Sequence, residues 1–109
     1  MENQHRKITG YRELSQDEID LMNRIKAAGA VLIELQAELV GKLEQHYTPL
    51  VEADFASKKR VDDDSPENEN TAELRRFESA EPLRWAAIGK TDIQTGVMAL
   101  IRAVAQPAV

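Results

Sequence analysis

The 109-residue chain has no cysteine. Disulfides and thiolate metal sites are thereby excluded, a composition compatible with a reducing cytosol. Aromatic residues are scarce: one Trp, two Tyr and two Phe. With 42 % hydrophobic residues, the core must therefore be aliphatic and thin. So short a chain rarely buries enough apolar area alone, which points to self-association. No apolar run approaches the roughly 18 residues of a membrane span. The N-terminal stretch MENQHRKITGYREL has no apolar core, so a secretory signal is not expected. Basic residues are outnumbered, 14 Lys and Arg against 19 Asp and Glu, a net charge of −5. That balance weighs against DNA or RNA as a partner. It leaves room for a small anionic ligand, because screening confines a distant field to about 8–10 Å.

Catalytic signatures are missing as well. The two histidines, His5 and His46, stand far apart in sequence, and there is no HExxH motif. A hydrolytic metal site normally needs three convergent protein ligands. The plain reading of His46 is a solvated histidine. IGKTD echoes a phosphate loop, but the preceding strand and first glycine are absent. Neither an enzyme, a metal nor a cofactor is expected.

Helical signals are strong. A polar arm covers residues 1–14, and Ser15 with Glu18 forms a capping box for the first helix. Ile19, Met22, Ile25, Leu32, Leu35, Leu39 and Leu43 then recur near the helical period. This predicts a helix over about 16–47, ended or bent by Pro49. The span 54–71 has a basic cluster, an acidic run and Pro66, and reads as a solvated, mobile loop. Asn70 or Thr71 can cap a further segment, and Ser79 another with Pro82 in its first turn. The alternative is one helix kinked at Pro82. The C-terminal helical region spans about 72–105 and stops before Pro107. The expected fold is all-α: a long antiparallel helical hairpin, one domain over 1–109, assembling into a symmetric oligomer.

The last helix is unusual at its centre. Trp85, Ile88, Val97, Leu100 and Ile101 suit a helix buried on one side. Between them lie Gly89, Lys90, Thr91, Asp92, Gln94, Thr95 and Gly96, a poor choice by propensity. One account is close packing, with the glycines admitting another backbone. The other is a polar ligand held by Lys90 and Arg84, with hydrogen bonds from Thr91 and Gln94. Lys26 on the first helix is commonly a snorkelling lysine at the edge of an apolar stripe. Alternatively it meets a phosphate while Tyr11 stacks on a base. Leu83 and Ile88 favour a core position for Trp85 over a ligand platform.

Read together, YREL…EIDLMNRIKAAG and LRWAAIGKTDIQTGVMALIRAVAQP resemble the phage anti-CBASS cyclic-oligonucleotide sponges, which share a helical-hairpin domain with the anti-Thoeris sponges. The likeness covers the arm and first helix to about Gly29, and the chain from about Leu74 to Pro107. The stretch 48–71 has no recognisable counterpart. The resemblance implies a non-enzymatic immune antagonist in the cytoplasm of the infected host. It would bind cyclic di- and trinucleotide messengers intact, as a hexamer of hairpins. It also implies two kinds of pocket between protomers: Tyr11 and Lys26 for cyclic dinucleotides, Arg84 and Thr91 for cyclic trinucleotides. The rival reading is a structural helical-hairpin oligomerisation or protein-interaction module with no nucleotide ligand.

Overall fold

A computed structural model describes residues 12–60 and 68–107. Three helices follow in order: α1 (Gln16–Arg60), α2 (Glu69–Ala80) and α3 (Pro82–Ala105). The fold is all-α, and among the described residues there is no strand. Its contacts divide the chain into two compact units, Met1–Leu35 with Lys90–Val109, and Gln36–Gly89.

Local chemistry sets the helix ends. The capping box closes in both directions: the Glu18 amide donates to Ser15 Oγ at 3.1 Å, and the Ser15 amide donates to Glu18 Oε1 at 2.9 Å. Asp17 and Glu18 add negative charge where the helix dipole favours it. The expected end near residue 47 is wrong, because α1 runs through Pro49 to Arg60. A mid-helix proline removes one hydrogen bond and crowds the carbonyl four residues back, at about 3 kcal/mol. Tertiary contacts beyond it offset that penalty. Asn70 Nδ2 donates to the Leu50 carbonyl at 3.2 Å, and the Thr71 hydroxyl donates to Asp54 Oδ1 at 3.3 Å.

The expected loop over 54–71 is therefore corrected at both ends. Residues up to 60 are helical, where Lys58, Lys59 and Arg60 are good helix formers. Residues 61–67 lie outside the described residues. Asn68, rather than Asn70 or Thr71, caps α2: its backbone is extended and its side chain accepts from the Thr71 amide at 2.9 Å. Starting the helix there leaves Asn70 free to reach Leu50. Nor does Ser79 cap the next helix. The break falls at Glu81, whose left-handed backbone (φ 52°, ψ 48°) caps α2 with its N–H on the Glu78 carbonyl, next to a proline that disfavours the right-handed helical region at the residue before it. Pro82 then takes the first helical position, where its missing N–H does no harm.

In the first unit, α1 and α3 run antiparallel. Arg12, just ahead of α1, reaches the Val104 carbonyl, while Gly29 faces Val97. Gly29 is buried, and a methyl group added there would sit 2.5 Å from Val97 Cγ2. In the second unit, Phe77 is buried between two ring neighbours, Tyr47 stacked at 5.4 Å and His46 tilted at 5.3 Å. Gln36 Nε2 donates to the Ala86 carbonyl at 2.9 Å.

The contact at Gly29 distinguishes it from Gly89 and Gly96, where an added methyl meets no atom within 4 Å. Gly29→Ala should lower unfolding stability by about 1–2 kcal/mol, since overpacking outweighs the gain in helix propensity. Gly89→Ala should raise it by up to about 1 kcal/mol. Urea unfolding followed by circular dichroism measures both. A stabilised Gly29→Ala would show that Val97 yields without cost.

Candidate ligand-binding residues

Lys26 is exposed on α1 and lines an open groove of about 510 Å³ in the first unit. Gly29, Ala30 and Ile33 form its α1 wall, and Gln94, Val97 and Met98 are among its α3 residues. Apart from the Lys26 ammonium and the Gln94 amide, the lining is apolar. A cation beside a flat aliphatic wall can pair with a phosphate while a base packs next to it. The groove also falls in the size range of small-molecule sites. The small residues Gly29 and Ala30 keep its α1 wall low. Tyr11, assigned with Lys26, lies outside the described residues.

Arg84 stands in the second unit. Its guanidinium lies 5.2 Å from the Trp85 ring centroid and 3.5 Å from Glu81 Oε2. It lines a smaller groove of about 290 Å³ with Tyr47, Phe77, Glu78 and Pro82. A phosphate arriving at Arg84 would compete with Glu81, an exposed ion pair of small worth. Thr91 is exposed on α3 and belongs to the first unit, so one chain presents Arg84 and Thr91 in different units.

One expectation about α3 needs correction. Trp85 is 59 % exposed, not a core residue; it serves as a plate beneath the Arg84 guanidinium. Gly89 and Gly96 make no close approach within the chain. The polar centre is open instead: Lys90, Thr91, Asp92, Gln94 and Thr95 are all exposed. The close approach occurs at Gly29, a position singled out by no motif.

Sequence reasoning also missed a polar network in the first unit. Arg12 donates to both Glu18 carboxylate oxygens and, through the nitrogen that bonds Oε2, to the Val104 carbonyl at 2.7 Å. Val104 belongs to the last turn of α3, whose carbonyls have no partner further along the helix. Its partner is 92 positions away from Arg12, beyond the reach of any local pattern. The Arg12 guanidinium, helped by the Ser15 amide, holds the Glu18 carboxyl down at about 2. In the second unit Arg76, then His46, lower the Glu73 carboxyl to about 2. His46 pairs with Glu73 at 2.7 Å, so it is a structural partner at the surface. The Tyr47 hydroxyl donates to Glu78 at 3.0 Å, which raises its pKa. Among the described residues no group of three His, Asp or Glu side chains could hold a metal ion. No described helix is long and apolar enough to cross a membrane.

Comparison with known proteins gives the family. A family model described as the Acb2/Tad1 hairpin domain matches residues 3–105. The chain belongs to that family. It is also similar to Anti-CBASS protein 2 of Pseudomonas phage JBD67, with 62 % identity over 110 residues, spanning 98 % of this chain and 97 % of the relative. The match thus extends through the helices that carry Lys26, Arg84 and Thr91, and through the arm that carries Tyr11.

The depressed Glu18 carboxyl makes a testable link to pH. Its pKa is about 2 in the fold against an ordinary 4.5, so the stability it contributes is complete above about pH 5. That contribution falls away as pH drops from 4.5 towards 2. Glu18→Gln should melt lower than the parent at pH 7, and the gap should narrow by pH 3. Melting curves at both pH values test this; a gap that widened in acid would contradict the ion-pair origin.

Proposed function

We propose that this protein is a phage antagonist of bacterial CBASS immunity that binds cyclic di- and trinucleotide messengers intact and withholds them from their effectors. The observation that carries the reading is the end-to-end similarity to Anti-CBASS protein 2 at 62 % identity. The site of action is the cytoplasm of the infected host. The binding unit is a homo-oligomer of six chains, with no nucleic-acid or membrane partner.

Two sites do the binding. Tyr11 stacks on a base of a cyclic dinucleotide, and Lys26 meets a phosphate from the apolar groove it lines. Arg84 and Thr91 bind cyclic trinucleotides, with phosphate taking the place of Glu81 beside Arg84. Symmetry multiplies this modest set: copies of both residues from several chains surround one ring-shaped ligand. Support for assembly comes from the large apolar side chains exposed on α1 and α3, Val31, Leu32, Leu35, Met98 and Leu100 among them. The same surfaces would serve a ligand-free interaction module, which is the second reading.

Sequestration makes a thermodynamic demand that turnover does not. The sites must outnumber the messenger and bind it more tightly than the effector does. A nanomolar Kd corresponds to about −12 kcal/mol. Stacking at about 1–3 kcal/mol per base and charge-assisted phosphate bonds, held ready in a closed assembly, can reach it.

Calorimetry with a cyclic dinucleotide and a cyclic trinucleotide separates the readings. Tyr11→Ala and Lys26→Ala should each weaken the dinucleotide by tenfold or more and spare the trinucleotide, since a lost stack or charged bond is worth roughly 1–3 kcal/mol. Arg84→Ala should do the reverse. Light scattering should give about six times the 12.2 kDa chain mass, and heat denaturation of the complex should release intact ligand. A stable monomer, or failure to bind either ligand, would leave the interaction module as the better account.

A further inference from the structure

We propose that Trp85 is a base-stacking plate of the cyclic-trinucleotide site, working beside the phosphate-binding Arg84. The inference rests on the reading above, in which Arg84 meets a phosphate. Tryptophan is highly buried on average, yet Trp85 is 59 % exposed. It follows Arg84 directly in α3, and the guanidinium carbon lies 5.2 Å from its ring centroid. Both residues belong to the second unit. In a nucleotide one ribose separates the base from its phosphate, so the groups that recognise them must also stand side by side. Here an open aromatic ring and a cation do so. The cation is paired with Glu81 at 3.5 Å, an exposed contact that a phosphate can displace at small cost.

The residue one turn further along argues that the ring is kept open. Side chains four apart on a helix are neighbours, and each leans towards the turn before it. A side chain at position 89 would therefore lie towards Trp85. Position 89 is glycine, and a methyl group added there would meet no atom within 4 Å. Packing within the chain does not require that glycine; free approach to the ring accounts for it. The chemistry favours a nucleotide over a second helix face as the occupant. A base offers a flat π-surface to the indole while its phosphate offers an anion to Arg84. The exposed aliphatic side chains Val31, Leu32, Leu35 and Leu100 supply no anion. Stacking is also tolerant of base identity, so such a plate adds affinity without selecting one trinucleotide.

Trp85 is the chain's one tryptophan, so its fluorescence reads the site without any substitution. The test titrates the full-length protein with cyclic tri-AMP and with 3′,3′-cyclic GMP–AMP, by fluorescence and calorimetry in parallel. A base stacked on the indole quenches it. Emission should fall along the calorimetric binding curve of cyclic tri-AMP and stay unchanged at saturation with cyclic GMP–AMP. Trp85→Ala should weaken cyclic tri-AMP by about tenfold or more, the worth of one lost stack. Trp85→Phe, which keeps a flat ring, should recover most of that loss; Trp85→Leu, apolar but not planar, should not. All three variants should keep the parent's mass in light scattering and bind cyclic GMP–AMP within about twofold. Unchanged emission while calorimetry records cyclic tri-AMP binding would overturn the proposal and leave the two-site reading standing. A lower mass for Trp85→Leu, or equal weakening of both ligands, would make Trp85 a subunit contact and overturn it too. If calorimetry recorded no cyclic tri-AMP binding to the parent, the reading itself would fail, and this inference with it. Should the variants not fold, the fluorescence titration of the unsubstituted protein decides alone.

Discussion

A shortage of burial governs this protein. Among the described residues the buried hydrophobic side chains are Leu74, Phe77, Ala86 and Ala105, and two of those are alanines. Burying a Leu or Phe side chain is worth about 1.5–3 kcal/mol, while an alanine offers one methyl group. Larger side chains that could contribute as much, such as Leu32, Leu35 and Leu39 on α1, remain about half exposed. Whatever covers them therefore supplies stability that one chain does not find within itself. In the proposed assembly, binding and folding draw on the same surfaces.

Directional polar contacts make up part of the deficit. In three places a side chain crosses from one helix or arm to a backbone carbonyl of another: Gln36 to Ala86, Asn70 to Leu50, and Arg12 to Val104. Each is worth only about 0.5–1.5 kcal/mol net. Their larger effect is on register, because an amide or guanidinium reaches one carbonyl and misses its neighbours. Apolar contacts between smooth aliphatic faces tolerate sliding; these contacts do not. The break at Glu81 works in the same direction, since the left-handed residue and Pro82 fix where α2 ends and α3 begins.

Helical class, the capping box at Ser15 and the family were legible in the sequence because all three rest on short, ordered patterns. The continuation of α1 past Pro49 was not, because the contacts that offset the proline come from Asn70 and Thr71, in another helix. Trp85 misled for a similar reason. Apolar neighbours at 83 and 88 describe a face of the helix, but only the fold shows that Arg84, not the core, covers that ring. For the candidate sites, the sequence supplied Lys26, Arg84 and Thr91 as residue types suited to phosphate. It gave no sign of the apolar groove around Lys26, of the Glu81 partner at Arg84, or of the clasp at Arg12. Those depend on side chains meeting across large separations in sequence.

The meeting of Gly29 with Val97 has a consequence for how such a chain can vary. The space between these positions holds one branched side chain and no more, and the residue at 97 already fills it. Positions 29 and 97 are thus a single steric quantity divided between two helices. A lineage could place alanine at 29 after valine at 97 had shrunk, whereas the opposite order passes through a strained intermediate. Because Gly29 and Val97 also line the groove beside Lys26, each such exchange would reshape the wall of the proposed ligand site. Drift in ligand preference could then arise from packing substitutions alone, with every charged group left in place.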